Sequence, residues 1–212
     1  MMDSIMPCCR RLFSPWLLAL LLFASLGGQA ADISVRNPAL VAGEDGYTLS
    51  ADFNINLNAR LDDAIARGVT LYFVVDFELT RSRWYWLDEE VVSRSQTFQL
   101  SYHALTRQYR LSSGALHQSF VSLDDAQRIL SRLRHWVVLD RGSLKNDQSY
   151  FAAVRMRLDL SQMPKTFQVH ALANRDWNLS SDWAHWTFTP GVAAAPAGTG
   201  APVAPSAAVE GR

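Results

Sequence analysis

The stretch Tyr47-Thr48-Leu49-Ser50-Ala51-Asp52-Phe53-Asn54-Ile55-Asn56-Leu57 alternates apolar and polar residues without a break. Successive side chains of a strand point to opposite faces, so Tyr47, Leu49, Ala51, Phe53, Ile55 and Leu57 share one face. Thr48, Ser50, Asp52, Asn54 and Asn56 share the other. A strand with one buried and one wet side follows, and it sets the class for the rest of the chain. Working outward, Val69 to Thr80 repeats the pattern, with Val69, Leu71, Phe73, Val75, Phe77 and Leu79 on one face. Asp76, Glu78 and Thr80 lie opposite, beside Tyr72 and Val74. Tyr150 to Leu160 does so again, placing Ala152, Val154, Met156, Leu158 and Leu160 inward and Arg155, Arg157 and Asp159 outward. Shorter strands are expected over Ile33 to Asn37, Trp84 to Val92, Thr97 to Tyr102, Gln108 to Leu111, Leu116 to Ser122 and Trp183 to Thr189.

Two short helices interrupt the strands, and both open on Leu-Asp-Asp-Ala. Asn58 is placed to cap Ala59 to Arg67, with Gly68 as the left-handed stop. Ser122 and Asp125 have the spacing of a capping box, and Ala126, Ile129, Leu130 and Leu133 form an apolar stripe behind them. Asp62, Asp63, Asp124 and Asp125 fall in first turns, where negative charge meets the positive helix end. Pro164 can open a third helix over Lys165 to Ala173. Many alternating strands without regular strand–helix alternation predict an all-β domain, an antiparallel β-sandwich closer to an immunoglobulin-like architecture than to a closed barrel.

The ends differ from this body. In residues 1–30, Arg10 and Arg11 precede the apolar run Leu12 to Leu26, and Gly28-Gln29-Ala30 supplies small residues before Ala31, the pattern of a secretory signal peptide. The run is shorter than the ~20 residues a membrane-spanning helix needs. An uncleaved anchor and a twin-arginine route remain the alternatives to general secretion with cleavage. Both cysteines, Cys8 and Cys9, lie in this segment, so the body 31–189 carries neither disulfide nor thiolate ligand. Without residues 1–30 the chain keeps 18 basic and 19 acidic residues, a balance that speaks against nucleic acid or an anionic membrane surface as main partner. Residues 190–212 are rich in Ala, Pro and Gly, contain no aromatic residue and read as a disordered tail. A periplasmic location is expected.

Residue patterns for catalysis are sparse. There is no phosphate loop, nucleophile elbow or paired metal-binding His motif, and His103, His117, His135, His170 and His185 stand singly. Asp76 and Glu78 share a face, as a glycosidase pair would need, but cross-strand pairing with Arg155 or Arg157 is the simpler expectation. No catalytic residue, cofactor or metal is assigned. Tryptophan stands out. Trp84-Tyr85-Trp86 forms one cluster, and Asp176, Trp177, Trp183 and Trp186 fall in another. Such rings usually fill a core; exposed, they make a platform for a sugar or peptide.

These segments carry a resemblance. Gly68 to Leu79 followed by Arg83-Trp84-Tyr85-Trp86, then Asn174-Arg175-Asp176-Trp177 and Leu179-Ser180-Ser181-Asp182-Trp183, resemble the proteobacterial proline-rich signal-peptide proteins classed as domain of unknown function 4390. The likeness spans essentially the whole body. It implies no established activity, cofactor or catalytic residue. Members are often encoded beside a membrane sensor kinase of the nitrogen-regulation type, which implies an envelope or inner-membrane protein as partner. The expectation is thus an exported, non-enzymatic interaction module with Trp84, Tyr85, Trp86, Asp176, Trp177, Trp183 and Trp186 as its surface. A protein that binds or acts on cell-wall glycan is the alternative.

Overall fold

The computed structural model describes residues 32–81, 89–145, 148–165, 167–168 and 177–190. Residues 1–31 and 191–212, Trp84, Tyr85, Trp86, His170 and Asp176 lie outside them.

In chain order the elements are β1 (Asp32–Ala42), β2 (Gly46–Asn56), α1 (Ala59–Ala66), β3 (Leu71–Arg81), β4 (Glu89–His103), β5 (Gln108–Ser113), β6 (Leu116–Phe120), α2 (Leu123–Leu130), β7 (Arg132–Asp140), β8 (Tyr150–Leu158) and β9 (Ala184–Phe188). The strands form two sheets, β1-β2-β7 and β6-β5-β4-β3-β8-β9, and every pairing is antiparallel. The domain is an all-β sandwich. Its layers are unequal, three strands against six, whereas an immunoglobulin constant domain divides its strands four and three. β1 lies against β8 and β9, and β7 against β4.

The core is built by the period-two faces. Leu49, Ala51 and Phe53 of β2 face Leu71, Phe73, Val75, Phe77 and Leu79 of β3 and Ala152, Val154 and Met156 of β8, all buried. Edge-to-face packing of Tyr47 on Phe188, with ring centroids 5.6 Å apart, ties the two sheets together. Both helix starts form as the residue pattern requires. Asn58 Oδ1 accepts from the Leu61 amide at 2.9 Å, and Gly68 closes α1 with φ of +86°. Ser122 Oγ accepts from the Asp125 amide at 3.1 Å and donates to that residue's carboxylate at 2.7 Å.

Four elements depart from the expectation. β1 continues past Asn37 to Ala42, because a bulge between Arg36 and Ala39, with Asn37 at φ +47°, absorbs Pro38 and lets pairing resume. Glu89 to His103 is one strand rather than parts of two. β8 ends at Leu158, and Leu160 instead opens a 3-10 turn capped by Asp159. The fourth is the largest. The stripe expected of the second helix breaks after Leu130: Ile129 is 44 % exposed, and Leu133, though buried, belongs to β7, a strand the alternation did not reveal. Pairing of β7 with β2 slips between Leu49 and Ala51 and again between Tyr47 and Thr48. Each slip inverts the in–out order, so Val138 and Leu139 are both buried and no period of two survives. Of the third helix, Lys165, Phe167 and Gln168 are helical, with Pro164 O accepting from Phe167 and Gln168. The remainder lies outside the described residues.

Candidate functional site

Two surfaces concentrate side chains able to act: the outward face of the six-stranded sheet and a groove between the sheets. On the outward face, β3 sets Asp76 directly across from Arg155 of β8, with Arg157 across from the neighbouring Val74. Arg155 Nε and Arg157 Nε donate to the same oxygen, Asp76 Oδ2, at 3.0 and 2.9 Å. The Asp76 side chain is 16 % accessible and both arginines 36 %, so the carboxylate is sheltered beneath two solvated guanidinium groups. That oxygen is thus occupied by two arginines, as cross-strand ion pairing requires. Glu78 has Ser93 and Ala153 as its cross-strand neighbours.

Trp183 adjoins this cluster. The Arg155 guanidinium carbon lies 4.4 Å from its ring centroid, and His185 stacks at 6.5 Å, which puts Trp183 at the outer face. Trp186 points the other way, packing on Phe77 in the core at 6.4 Å. Trp177 is 8 % exposed and packs on Phe167. The three described tryptophans of the expected surface therefore do not share one platform. Only Trp183 faces solvent beside polar groups, and one of its ring faces is covered by Arg155. Asp159, next to Arg157, accepts from the Ser161 amide, Ser161 Oγ and Gln162 Nε2. Burial pushes its carboxyl up, but those hydrogen bonds and Arg157 outweigh it and hold it below the ordinary value.

The paired acidic starts of the helices show one opposed effect. Asp62 Oδ1 is buried and has no hydrogen-bond partner among the described residues. Burial first, and the nearby Asp124 carboxylate second, raise the Asp62 carboxyl above its ordinary value. Asp63 and Asp125 pair instead with Arg67 at 2.7 Å and Arg128 at 3.0 Å on their own helices. Among the described residues no group of three or more His, Cys, Asp or Glu is placed to hold a metal ion, and no helix is long and apolar enough to cross a membrane.

The groove lies where β7 flanks the inward faces of β4, β5 and β6. It has a volume of about 400 Å³ and is lined by Phe98, Leu111, Leu116, Ile129 and Trp136 to Val137, with Gln96, Ser113 and Gln118 on the sheet side and Arg132 to His135 on the strand side. Leu116 is 76 % exposed and Val137 45 %, which together with Ile129 gives an apolar rim in contact with water. Gln96 Nε2 donates to Ser113 Oγ at 2.8 Å, while its Oε1 is buried with no partner. Arg134 is held by Asp52 and by the carbonyl of Ala51. His135 has φ of +53°, an uncommon conformation for a residue with a side chain, at the bulge that turns β7 along the groove.

None of these groove residues entered the surface expected from the tryptophan clusters. The run Trp136-Val137-Val138-Leu139, closed by Asp140-Arg141-Gly142, was the available strand indicator, and its bulges concealed it. No curated protein and no solved structure matches the chain. A family profile matches residues 30–187, nearly the whole body, and the chain belongs to that family, described as Domain of unknown function (DUF4390).

Proposed function

We propose that this protein is an exported, non-enzymatic interaction module of the cell envelope that engages another protein through the groove beside β7. The observation that carries it is the groove itself. Leu116, Ile129 and Val137 bring exposed apolar area together at one groove, unlike Val41, Leu105, Val121 and Phe151, which do not line it. Such patches mark contact sites more often than chance exposure. The polar cluster at Asp76 supports a non-catalytic role, since its carboxylate is bound by two arginines. The Arg10-Arg11 start and apolar run of residues 1–30 support export to the periplasm. The resemblance carried by the aromatic motifs supplies the class of partner, an inner-membrane protein such as a sensor kinase.

The test is in-cell crosslinking of the tagged protein in its native host, with mass spectrometry of the captured material. A membrane protein recovered reproducibly, and lost when Leu116 is changed to Asp, is the expected result. Recovery of abundant envelope proteins only, unchanged by that substitution, would refute the proposal. Binding to cell-wall glycan that depends on Trp183 would replace it with the glycan alternative.

A further inference from the structure

The six-stranded sheet is wider than the layer that covers it. Among the described residues β7 is the last strand of the small sheet and lies against β4, so that sheet has no further strand to set over the outer strands β5 and β6. α2 packs over part of that overhang, burying Ala126 and Leu130. The remainder is the groove, a space beside the edge of β7 and above the part of β5 and β6 that α2 leaves open. We infer that it takes one extended segment of a partner protein, apolar at alternate positions and bearing carboxylates between them. The inference rests on the interaction-module reading and specifies its ligand.

Charge selects the acidic character. Arg132, Arg134 and His135 line the groove, and no carboxylate does. Arg134 is paired with Asp52, which is also the cross-strand neighbour of Arg132, so one carboxylate stands beside two arginines and positive charge is left over. Carboxylates of the segment meet Arg132 and His135, and its apolar residues cover Leu116, Ile129 and Val137.

The shape of β7 selects a single segment over a second copy of this sheet. Two register slips and the left-handed backbone at His135 break the edge, so a long ladder cannot run along it. A few main-chain hydrogen bonds plus burial of alternate side chains remain available, as in recognition by strand addition.

The probe is a short synthetic peptide alternating valine with aspartate and glutamate, with a lysine-for-acid version as control, titrated into the full chain as the cell processes it. Binding is read from amide NMR shifts. The acidic peptide is expected to move amides of β6 and β7, to bind more weakly as salt rises, and to lose at least about tenfold in affinity with Leu116→Asp, since a buried leucine side chain is worth that much. Arg132→Glu tests the charge independently, and Ser95→Asp on the outward face leaves binding unchanged. Both test sites are exposed, so unaltered circular dichroism melts confirm that the variants fold. Equal binding of the lysine peptide, indifference to Leu116→Asp, or no binding at about 1 mM would overturn the inference. So would a concentration-dependent dimer abolished by Leu116→Asp, which assigns the groove to a second copy. If the peptide fails while crosslinks from position 116 still capture a membrane protein, the extended acidic segment is wrong and the interaction module stands. If those crosslinks also vanish, both fall.

Discussion

Replacing Asp76 by Ala tests whether the most conspicuous polar cluster of this domain is structural. Its single oxygen Oδ2 accepts from Arg155 and Arg157 at 3.0 and 2.9 Å. A hydrogen bond to a charged group contributes about 1.5–3 kcal/mol net when buried, and an exposed ion pair about 0–1 kcal/mol. This pair lies between those limits, with the carboxylate 16 % accessible and the guanidinium groups 36 %. About 1 kcal/mol for each bond, plus some loss of the Arg155 stack on Trp183, gives a cost of about 2–3 kcal/mol. Arg155→Ala leaves Arg157 on the carboxylate and should cost about half as much. The two substitutions together should cost less than the sum of their separate costs, since each removes the same Asp76–Arg155 bond. The assay is urea unfolding followed by tryptophan fluorescence and circular dichroism at neutral pH. A variant within about 0.5 kcal/mol of wild type would refute the reasoning, because surface substitutions without a structural role fall in that range. If that variant also lost its captured partner, Asp76 would be a functional group.

Asn58→Ala and Ser122→Ala each remove a helix cap and should lower stability by about 1 kcal/mol in the same assay. Gly46 and Gly68 predict a contrast. A Cβ at Gly46, with φ +147°, would sit 2.1 Å from the Leu139 carbonyl oxygen, so Gly46→Ala should cost well over about 2 kcal/mol and disturb the β2–β7 pairing. At Gly68, with nothing within 4 Å, Gly68→Ala should cost only the left-handed backbone, about 1–2 kcal/mol. Burial and Asp124 raise the Asp62 carboxyl, so ionising it costs stability at neutral pH; the cost fades as pH falls through the raised value and is gone below the ordinary 3.8. Asp62→Asn should therefore be more stable than wild type at pH 7, with the advantage shrinking on acidification. An advantage that grew at low pH would reverse the assignment.

Much of the sandwich is legible in the sequence because its central strands obey one rule. β2, β3 and β8 each bury alternate residues, and the alternation of Phe53, Phe77 and Met156 with polar neighbours states it directly. Asp76 with Arg155 and Arg157 followed from the same parity, since all three point outward on paired strands. β7 was hidden because its slips place Arg134 and His135 between paired residues and set Val138 and Leu139 both inward. The groove was hidden with it. Its lining comes from four strands and one helix that follow one another between Gln96 and Val137, and no single period marks how sheet pairing and the approach of β7 bring them together. Trp177 and Trp186 have their rings in or against the core, and composition has no means of separating such rings from exposed ones.

The most direct test of the central claim is site-specific photocrosslinking in the native host, comparing a photoreactive residue at Leu116 in the groove with one at Ser95. Ser95 lies on the outward face of the sheet, opposite Asp76. Capture of the same membrane protein from position 116 and not from 95, abolished by Arg132→Glu, is the result this account predicts. Capture from position 95 alone, or equally from both, would contradict it.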